Sequence, residues 1–243
     1  MTVPVLTDFI AAHKTEVVEK VTEDAKRATA LSLQINEIFY SVQGESSLAG
    51  WPTVFVRTMG CNIRCTYCDT KYSYYEGRRQ TFDEILQQIK TFKTRHVCIT
   101  GGEPMAQSKV LNFMKLLCDE GYVVSLETNG FYDTAAVDPR VIKVIDIKTP
   151  GSGEVESFNY KNIEALLPHD QVKFVICSDE DYEWSKNLIL KNKLNEKCTV
   201  LMSPEFDGMP PKKLAEKILS DSLPTRLQLQ LHKYIWSPQQ RGV

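Results

Sequence analysis

From about residue 50 onward the chain alternates short apolar runs with segments of helical periodicity, and few folds accommodate that pattern. The runs rich in Val, Ile and Leu occupy 53–57, 96–100, 123–127, 141–147, 172–177, 199–203 and 226–231. Near-continuous apolar runs of this length suit parallel strands, which are covered on both faces and so have no polar side. Between them, Thr81 and Glu84 form a T-x-x-E capping box ahead of a stripe of Ile85, Leu86, Ile89 and Phe92. Ser108 is placed to cap a second helix bearing Val110, Leu111, Met114 and Leu117, with Gly121 to end it. Asp179 opens a third with Tyr182, Ile189 and Leu190 inward, and Pro211 starts a fourth. Strand, helix, strand in succession implies right-handed crossovers and a parallel sheet. With about seven strands against about four clear helices, the expected fold is α/β, an incomplete (β/α) barrel with mostly parallel strands. Its chemistry belongs in loops beyond the C-terminal strand ends.

Residues 1–33 stand apart from this alternation. Val17, Val18, Val21, Ala25 and Ala28 give a weak apolar face, so an N-terminal helical extension is expected there, with the barrel domain over 34–243. Lys plus Arg number 29 against 31 Asp plus Glu, a balance that argues against a protein that coats nucleic acid or an anionic membrane. No apolar run approaches the roughly 20 residues needed to span a bilayer. Lys14, Glu16, Glu19, Lys20, Glu23 and Asp24 leave no signal-peptide core. The expectation is a cytoplasmic protein with neither nucleic-acid nor membrane partners.

Without a secretory signal, the 7 cysteines point to a metal or redox site before disulfides. Cys98, Cys118 and Cys177 sit in or beside apolar runs and read as small core residues, as does Cys198. Cys61, Cys65 and Cys68 are different: they fall within one short loop after a strand ending at Arg57. Structural zinc needs a fourth ligand, and none of His13, His96, His169 or His232 is near the loop. An iron–sulfur cluster with three cysteinyl irons and one open iron fits the ligand count. Zinc remains the competing metal at this point. Two polar segments follow later strands, Thr100-Gly101-Gly102-Glu103-Pro104 and Glu127-Thr128-Asn129-Gly130, and Asp146 to Lys148 ends another. Glycines in the first let backbone amides approach a ligand closely. Glu127 and Asp146 fit a ring of ligand groups around one mouth, or equally ion pairs with neighbouring bases.

The C-x-x-x-C-x-x-C loop with Thr100 to Pro104 resembles the signature of the radical S-adenosylmethionine superfamily. In that superfamily the cofactor's amino and carboxylate groups bind the open iron, and one electron cleaves its sulfonium to a 5′-deoxyadenosyl radical. Five motifs then narrow the resemblance: Glu37-Ile38-Phe39-Tyr40-Ser41-Val42-Gln43-Gly44-Glu45, Phe55-Val56-Arg57 running into the cysteine loop, the Gly-Gly-Glu-Pro segment, Glu127 to Gly130, and Gln230-Leu231-His232-Lys233-Tyr234. Together they resemble the 7-carboxy-7-deazaguanine synthase family from about Gln34 to Trp236. The resemblance implies ring contraction of 6-carboxy-5,6,7,8-tetrahydropterin with loss of ammonia, in deazapurine and queuosine biosynthesis. It also implies a homodimer, and an electron donor such as flavodoxin or ferredoxin.

Carried onto this chain, the resemblance gives Cys61, Cys65 and Cys68 to a 4Fe–4S cluster. Tyr67, Cys68, Asp69, Gly102, Asp146, Ile147, Lys148, Ser178, Asp179, Glu180 and Asp181 go to S-adenosylmethionine, and Thr70 to Mg2+. Val42, Gln43, Gly44, Glu45, Arg57, Thr100 and His232 go to the pterin, with Arg57 facing its carboxylate. Arg57 suits that task as a fixed, forked cation at a strand end. Ser46 stands where many relatives have Gly, and 237–243 continue past the point where some relatives stop. The closest rival by resemblance is a glycyl-radical-enzyme activase; from another class, a zinc-binding interaction module.

Overall fold

The computed structural model describes residues 31–243, and in them one nine-stranded sheet organises the chain. Its strands are β1 (Ser32–Val42), β2 (Pro52–Thr58), β3 (Arg78–Thr81), β4 (His96–Gly101), β5 (Val123–Thr128), β6 (Ile142–Asp146), β7 (Gln171–Ile176), β8 (Thr199–Pro204) and β9 (Arg226–Leu227). They lie in the order β3-β1-β2-β4-β5-β6-β7-β8-β9. From β2 to β9 every pairing is parallel, while β1 runs antiparallel to both β2 and β3. The end strands β3 and β9 do not pair with each other, so the barrel is incomplete, as the strand-to-helix ratio predicts.

All seven expected strands form, the last much shortened: β9 stops at Leu227, and Leu231 already begins a helix. The helices are α1 (Phe82–Lys90), α2 (Val110–Asp119), α3 (Asp179–Asn192), α4 (Leu194–Lys197), α5 (Pro211–Ser220) and α6 (Leu231–Ile235). The Thr81–Glu84 capping box is present in full at α1. Ser108 does not cap α2; the N-cap is Lys109, without a side-chain bond, and Val110 N donates to Gln107 O. Leu190, expected inward on α3, is 54% exposed, because Tyr182, Ser185 and Ile189 define the buried side.

Two strands went unforeseen. In β1 a bulge between Ile35 and Glu37 breaks the two-residue alternation, and β3 is a charged edge of Arg78 and Arg79. β1 also takes Ser32 and Leu33 into the sheet, two residues earlier than the expected boundary; the rest of the expected N-terminal helix lies outside the described residues.

Helices cover one face of the sheet. Val54, Val56, Val97, Ile99, Val124 and Leu126 pack with Ile85, Ile89, Phe113 and Leu117 of α1 and α2. Ile145, Val172, Phe174 and Ile176 pack with Tyr182, Ile189, Leu214 and Ile218 of α3 and α5. Side chains alternate across a strand, so the residues between these must face the other way. Phe55, Arg57, Cys98, Thr100, Glu127, Asp146, Lys173 and Val175 do so, and they line a cavity at the C-terminal strand ends. Parallel register sets them side by side: Arg57 pairs with Thr100, and Asp146 with Lys173.

Candidate active site

The cavity has a volume of about 780 Å³, roomy enough for a cofactor and a small substrate together. Its outer wall is the cysteine loop, which leaves β2 through Gly60 at a positive φ of 93°. Gly60 N donates to Ser73 O, Thr66 N to Ser152 O, and Arg64 N to Glu154 Oε1, so three bonds tie the loop to two other segments of the chain. Arg64 also stacks over Tyr74 at 4.4 Å.

Cys61, Cys65 and Cys68 are free thiols lining the same cavity. Burial pushes the Cys65 thiol up to about 11, against the pull of Lys148, and burial also raises Cys61. In both, the other two or the neighbouring thiol adds repulsion. Coordination to a cationic metal centre removes the protons that burial otherwise holds on Cys61 and Cys65. Among the described residues no three His, Cys, Asp or Glu side chains converge on a single metal ion. A cube binds each sulfur through a separate iron, so three cysteines suffice to hold it. With Cys61, Cys65 and Cys68 all on its wall, the cavity offers the donor set that such a cluster takes.

Behind the loop, the Gly-Gly-Glu-Pro and Glu-Thr-Asn-Gly segments form one hydrogen-bonded unit. Buried Glu103 accepts from Met105 N at 2.9 Å, Thr128 Oγ1 at 2.7 Å and Asn129 N at 2.7 Å. Asn129 Nδ2 donates onward to Asn62 Oδ1 in the cysteine loop. Gly102 sits so close to the Gly60 backbone and Cys61 Cβ that any side chain there would displace the loop. Tyr67, beneath Lys148 at 5.6 Å, buries a hydroxyl with no hydrogen-bond partner. Gln43 Nε2, Glu127 Oε1 and Asp146 Oδ1 are likewise buried and unpartnered, and all three side chains line the cavity. Unmet polar atoms gathered in one space are what a bound polar molecule satisfies.

On the opposite wall, Gln43 N donates to Trp51 O and Gly50 N to Gln43 O, closing the turn after β1. Ser46 holds a positive φ of 68°, a conformation that glycine adopts without steric cost. Glu45 accepts from Lys173 at 2.8 Å, Gln230 Nε2 at 2.9 Å and Gln228 Nε2 at 3.2 Å. Burial works to raise its pKa, yet Lys173, His232 and Gln230 prevail and hold it down at about 2. Gly44 abuts the His232 imidazole, and burial lowers that ring's pKa. Arg57 Nε donates to Glu37 Oε1 at 2.7 Å between the rings of Phe39 and Tyr72.

A sequence profile described as the Radical SAM superfamily matches residues 55–147, the stretch that runs from β2 to β6 and holds the cysteine loop. The 7-carboxy-7-deazaguanine synthase of Chlorobaculum tepidum is 46% identical over 219 residues, which cover 89% of this chain and 100% of that one. The chain belongs to the 7-carboxy-7-deazaguanine synthase family. The synthase of Koribacter versatilis is 41% identical, over 87% of this chain and 100% of its own. The crystal structure of QueE from Escherichia coli superposes with a TM-score of 0.69 at 22% identity, over 82% of this chain and 93% of that one, a likeness of fold. As a family member the chain is a radical S-adenosylmethionine enzyme.

Most residues expected to serve this synthase-family chemistry meet in the cavity: Val42, Gln43, Gly44, Glu45, Arg57, Cys61, Cys65, Tyr67, Cys68, Asp69, Thr70, Thr100, Gly102, Asp146, Lys148 and His232 all line it. Five do not. Ile147 is fully buried in the second core. Ser178 caps α3 through Asp181 N, and buried Asp181 accepts from Gly151 N and Cys177 N. Asp179 pairs with Lys213 and Lys217, and Glu180 follows it outward on the first turn of α3. Cys177, expected in the core, is only half-buried. Sequence reasoning missed Lys173, which reaches Glu45, Asp146 and Glu127, and Lys233, which pairs with Asp69 at 2.8 Å. A lysine inside the apolar run 171–176 was the available signal for the first.

Proposed function

We propose that the chain converts 6-carboxy-5,6,7,8-tetrahydropterin to 7-carboxy-7-deazaguanine with loss of ammonia. The observation that carries this reading is that three loop thiols and the Gln43–Glu45 turn with Arg57 open onto one cavity. When bound, a 4Fe–4S cluster on Cys61, Cys65 and Cys68 with S-adenosylmethionine supplies the 5′-deoxyadenosyl radical. Everything else falls to the chain's own side chains.

Arg57 presents a guanidinium, oriented by Glu37, to the substrate carboxylate. Glu45 stays ionised at neutral pH and accepts from the N–H groups of the pyrimidine edge, as a carboxylate held at about 2 can. The unpartnered Gln43 Nε2 donates to the pterin from the same turn. His232, its pKa lowered by burial, is neutral there and closes the wall against Gly44. Lys148 and Tyr67 flank the cofactor side, where the Tyr67 hydroxyl lacks a partner. Thr70, whose hydroxyl lies 3.8 Å from Cys68 Sγ, would offer an oxygen ligand to Mg2+, a hard cation. The reading includes a one-electron donor such as flavodoxin or ferredoxin, because the family's chemistry begins with a reduced cluster, and a cytoplasmic homodimer. Among the described residues no helix is long and apolar enough to cross a membrane.

Anaerobic incubation of reconstituted protein with the carboxytetrahydropterin, S-adenosylmethionine, Mg2+ and a reductant tests the reading by mass spectrometry. The expected result is the deazaguanine with release of ammonia. Formation of 5′-deoxyadenosine without it refutes the substrate.

A further inference from the structure

Three acidic side chains, Glu45, Glu127 and Asp146, face two lysines, Lys148 and Lys173, across the cavity. Were all five ionised, one negative charge would stand uncompensated where water is largely shut out, which is costly. A single proton relieves this, and the contacts say where it resides. Lys173 Nζ lies 2.8 Å from Glu45, 3.4 Å from Asp146 and 3.8 Å from Glu127. Glu45 is held further by Gln228 and Gln230, and Asp146 by Lys148 at 3.0 Å. Glu127 has the longest contact to the shared lysine, and its Oε1 is buried without a partner. The other titratable neighbour, Cys98 on β4, is a neutral thiol that burial pushes up to about 12.

We propose that Glu127 is the acid–base catalyst of the ring contraction, and that Lys173 is its positioning residue. The proposal rests on the pterin reading above. In that reaction a ring carbon loses a proton as the new five-membered ring becomes aromatic, and the departing nitrogen gains one. The Glu127 carboxylic acid hands its proton to the amine as the C–N electron pair leaves with nitrogen. The resulting carboxylate takes the carbon-bound proton, and the C–H electron pair becomes a ring double bond. Glu127 ends as it began, and no oxidant is consumed. Burial pushes its pKa up to about 7, against Lys173 and with repulsion from Glu45 and Asp146, while Glu45 is held at about 2. Carboxyls driven apart in this way divide into one that shuttles protons and one that stays charged.

The test is Glu127→Gln in the reconstituted enzyme, with Glu127→Asp alongside. Deazaguanine formation should fall at least about 100-fold, the loss typical of a removed acid–base group. Pterin affinity should stay within about threefold, a difference of less than ~1 kcal/mol. Deuterium at the radical-accessible carbon should still pass into S-adenosylmethionine, because the radical step precedes proton transfer. The wild-type pH–rate profile should show an ionisation near neutrality that the Gln variant lacks and the Asp variant partly restores. A Gln variant that keeps its rate and that ionisation overturns the proposal. So does one that loses affinity at unchanged kcat, since Glu127 would then be a recognition group. A wild-type enzyme that makes no deazaguanine fails the pterin reading itself, a result the variants cannot mimic.

Discussion

Replacing Lys173 by Met removes one charge at nearly constant length and tests the network on which the site depends. Lys173 Nζ contacts three carboxylates at 2.8 to 3.8 Å, and its side chain is 9% exposed. Burial alone would lower its pKa, but Glu45, Asp146 and Glu127 raise it well above the ordinary value, so the lysine is fully charged. Breaking a buried pair by deleting one partner costs ~3–5 kcal/mol, because the other charge is left without compensation. For a chain of this size ~1 kcal/mol moves Tm by about 2–4 °C, so the variant should melt about 10 °C lower near neutral pH. The sign of the pH dependence follows from Glu45. In the wild type its folded pKa of about 2 lies below the ordinary 4.5, so its stabilisation is present above 4.5 and is lost as pH falls through 2. Without Lys173, burial and carboxylate repulsion prevail and the folded pKa rises above 4.5. The penalty then grows as pH climbs. Anaerobic scanning calorimetry should find a Tm gap at about pH 8 at least twice that at about pH 5. An equal gap at both, or a loss under about 2 °C, refutes the network as drawn.

Cys65→Ala should give a protein without broad visible absorption and without 5′-deoxyadenosine formation, because one of three sulfur ligands is gone; a cluster-loaded, active variant contradicts the site. Arg57→Ala should weaken pterin binding about 10- to 100-fold, the worth of a charge-assisted hydrogen bond, while uncoupled cleavage of S-adenosylmethionine persists; isothermal titration reads the first and chromatography the second. Glu103→Ala strips partners from Met105 N, Thr128 Oγ1 and Asn129 N at once, and should cost ~3 kcal/mol or more in thermal denaturation. Gly44→Ala forces a methyl group against His232 and should disorder the contact between the Gln43–Glu45 turn and α6, seen as faster amide exchange at Leu231, which donates to Gly44 O.

The central strands were legible because both of their faces are buried, which leaves unbroken apolar runs such as Val97-Cys98-Ile99. The two antiparallel strands were not: β1 has one wet side and a bulge, and β3 is four residues of charged edge. The site divides in the same way. Residues in contiguous motifs (the cysteine loop, the Gln43–Glu45 turn, Gly102) were visible because neighbours in sequence are neighbours in the cavity. Lys173 and Gln228 lie outside those motifs, and only strand register and the path of the chain after β9 bring them there, while Gln230 and Lys233 lay inside the Gln230–Tyr234 motif with no role given to them.

Lys173 was nonetheless within reach of the sequence, and comparing it with Lys143 shows how. Each is a lone lysine inside an apolar run, and each is buried. Val172, Phe174 and Ile176 pack on the helix side of β7, so Lys173 between them must point into the cavity. Lys143 shares parity with Ile145, which also packs on the helix side of β6, so it points away from the cavity. There it meets Asp170 at 3.1 Å and the Ala165 carbonyl at 2.8 Å, a self-contained pair. A buried lysine that shares its face with the apolar core thus finds its partner behind the sheet. One of opposite parity belongs to the cavity, and its partners are to be sought at the ends of adjacent strands, where Asp146 pairs directly with Lys173 and Glu127 lies one strand beyond.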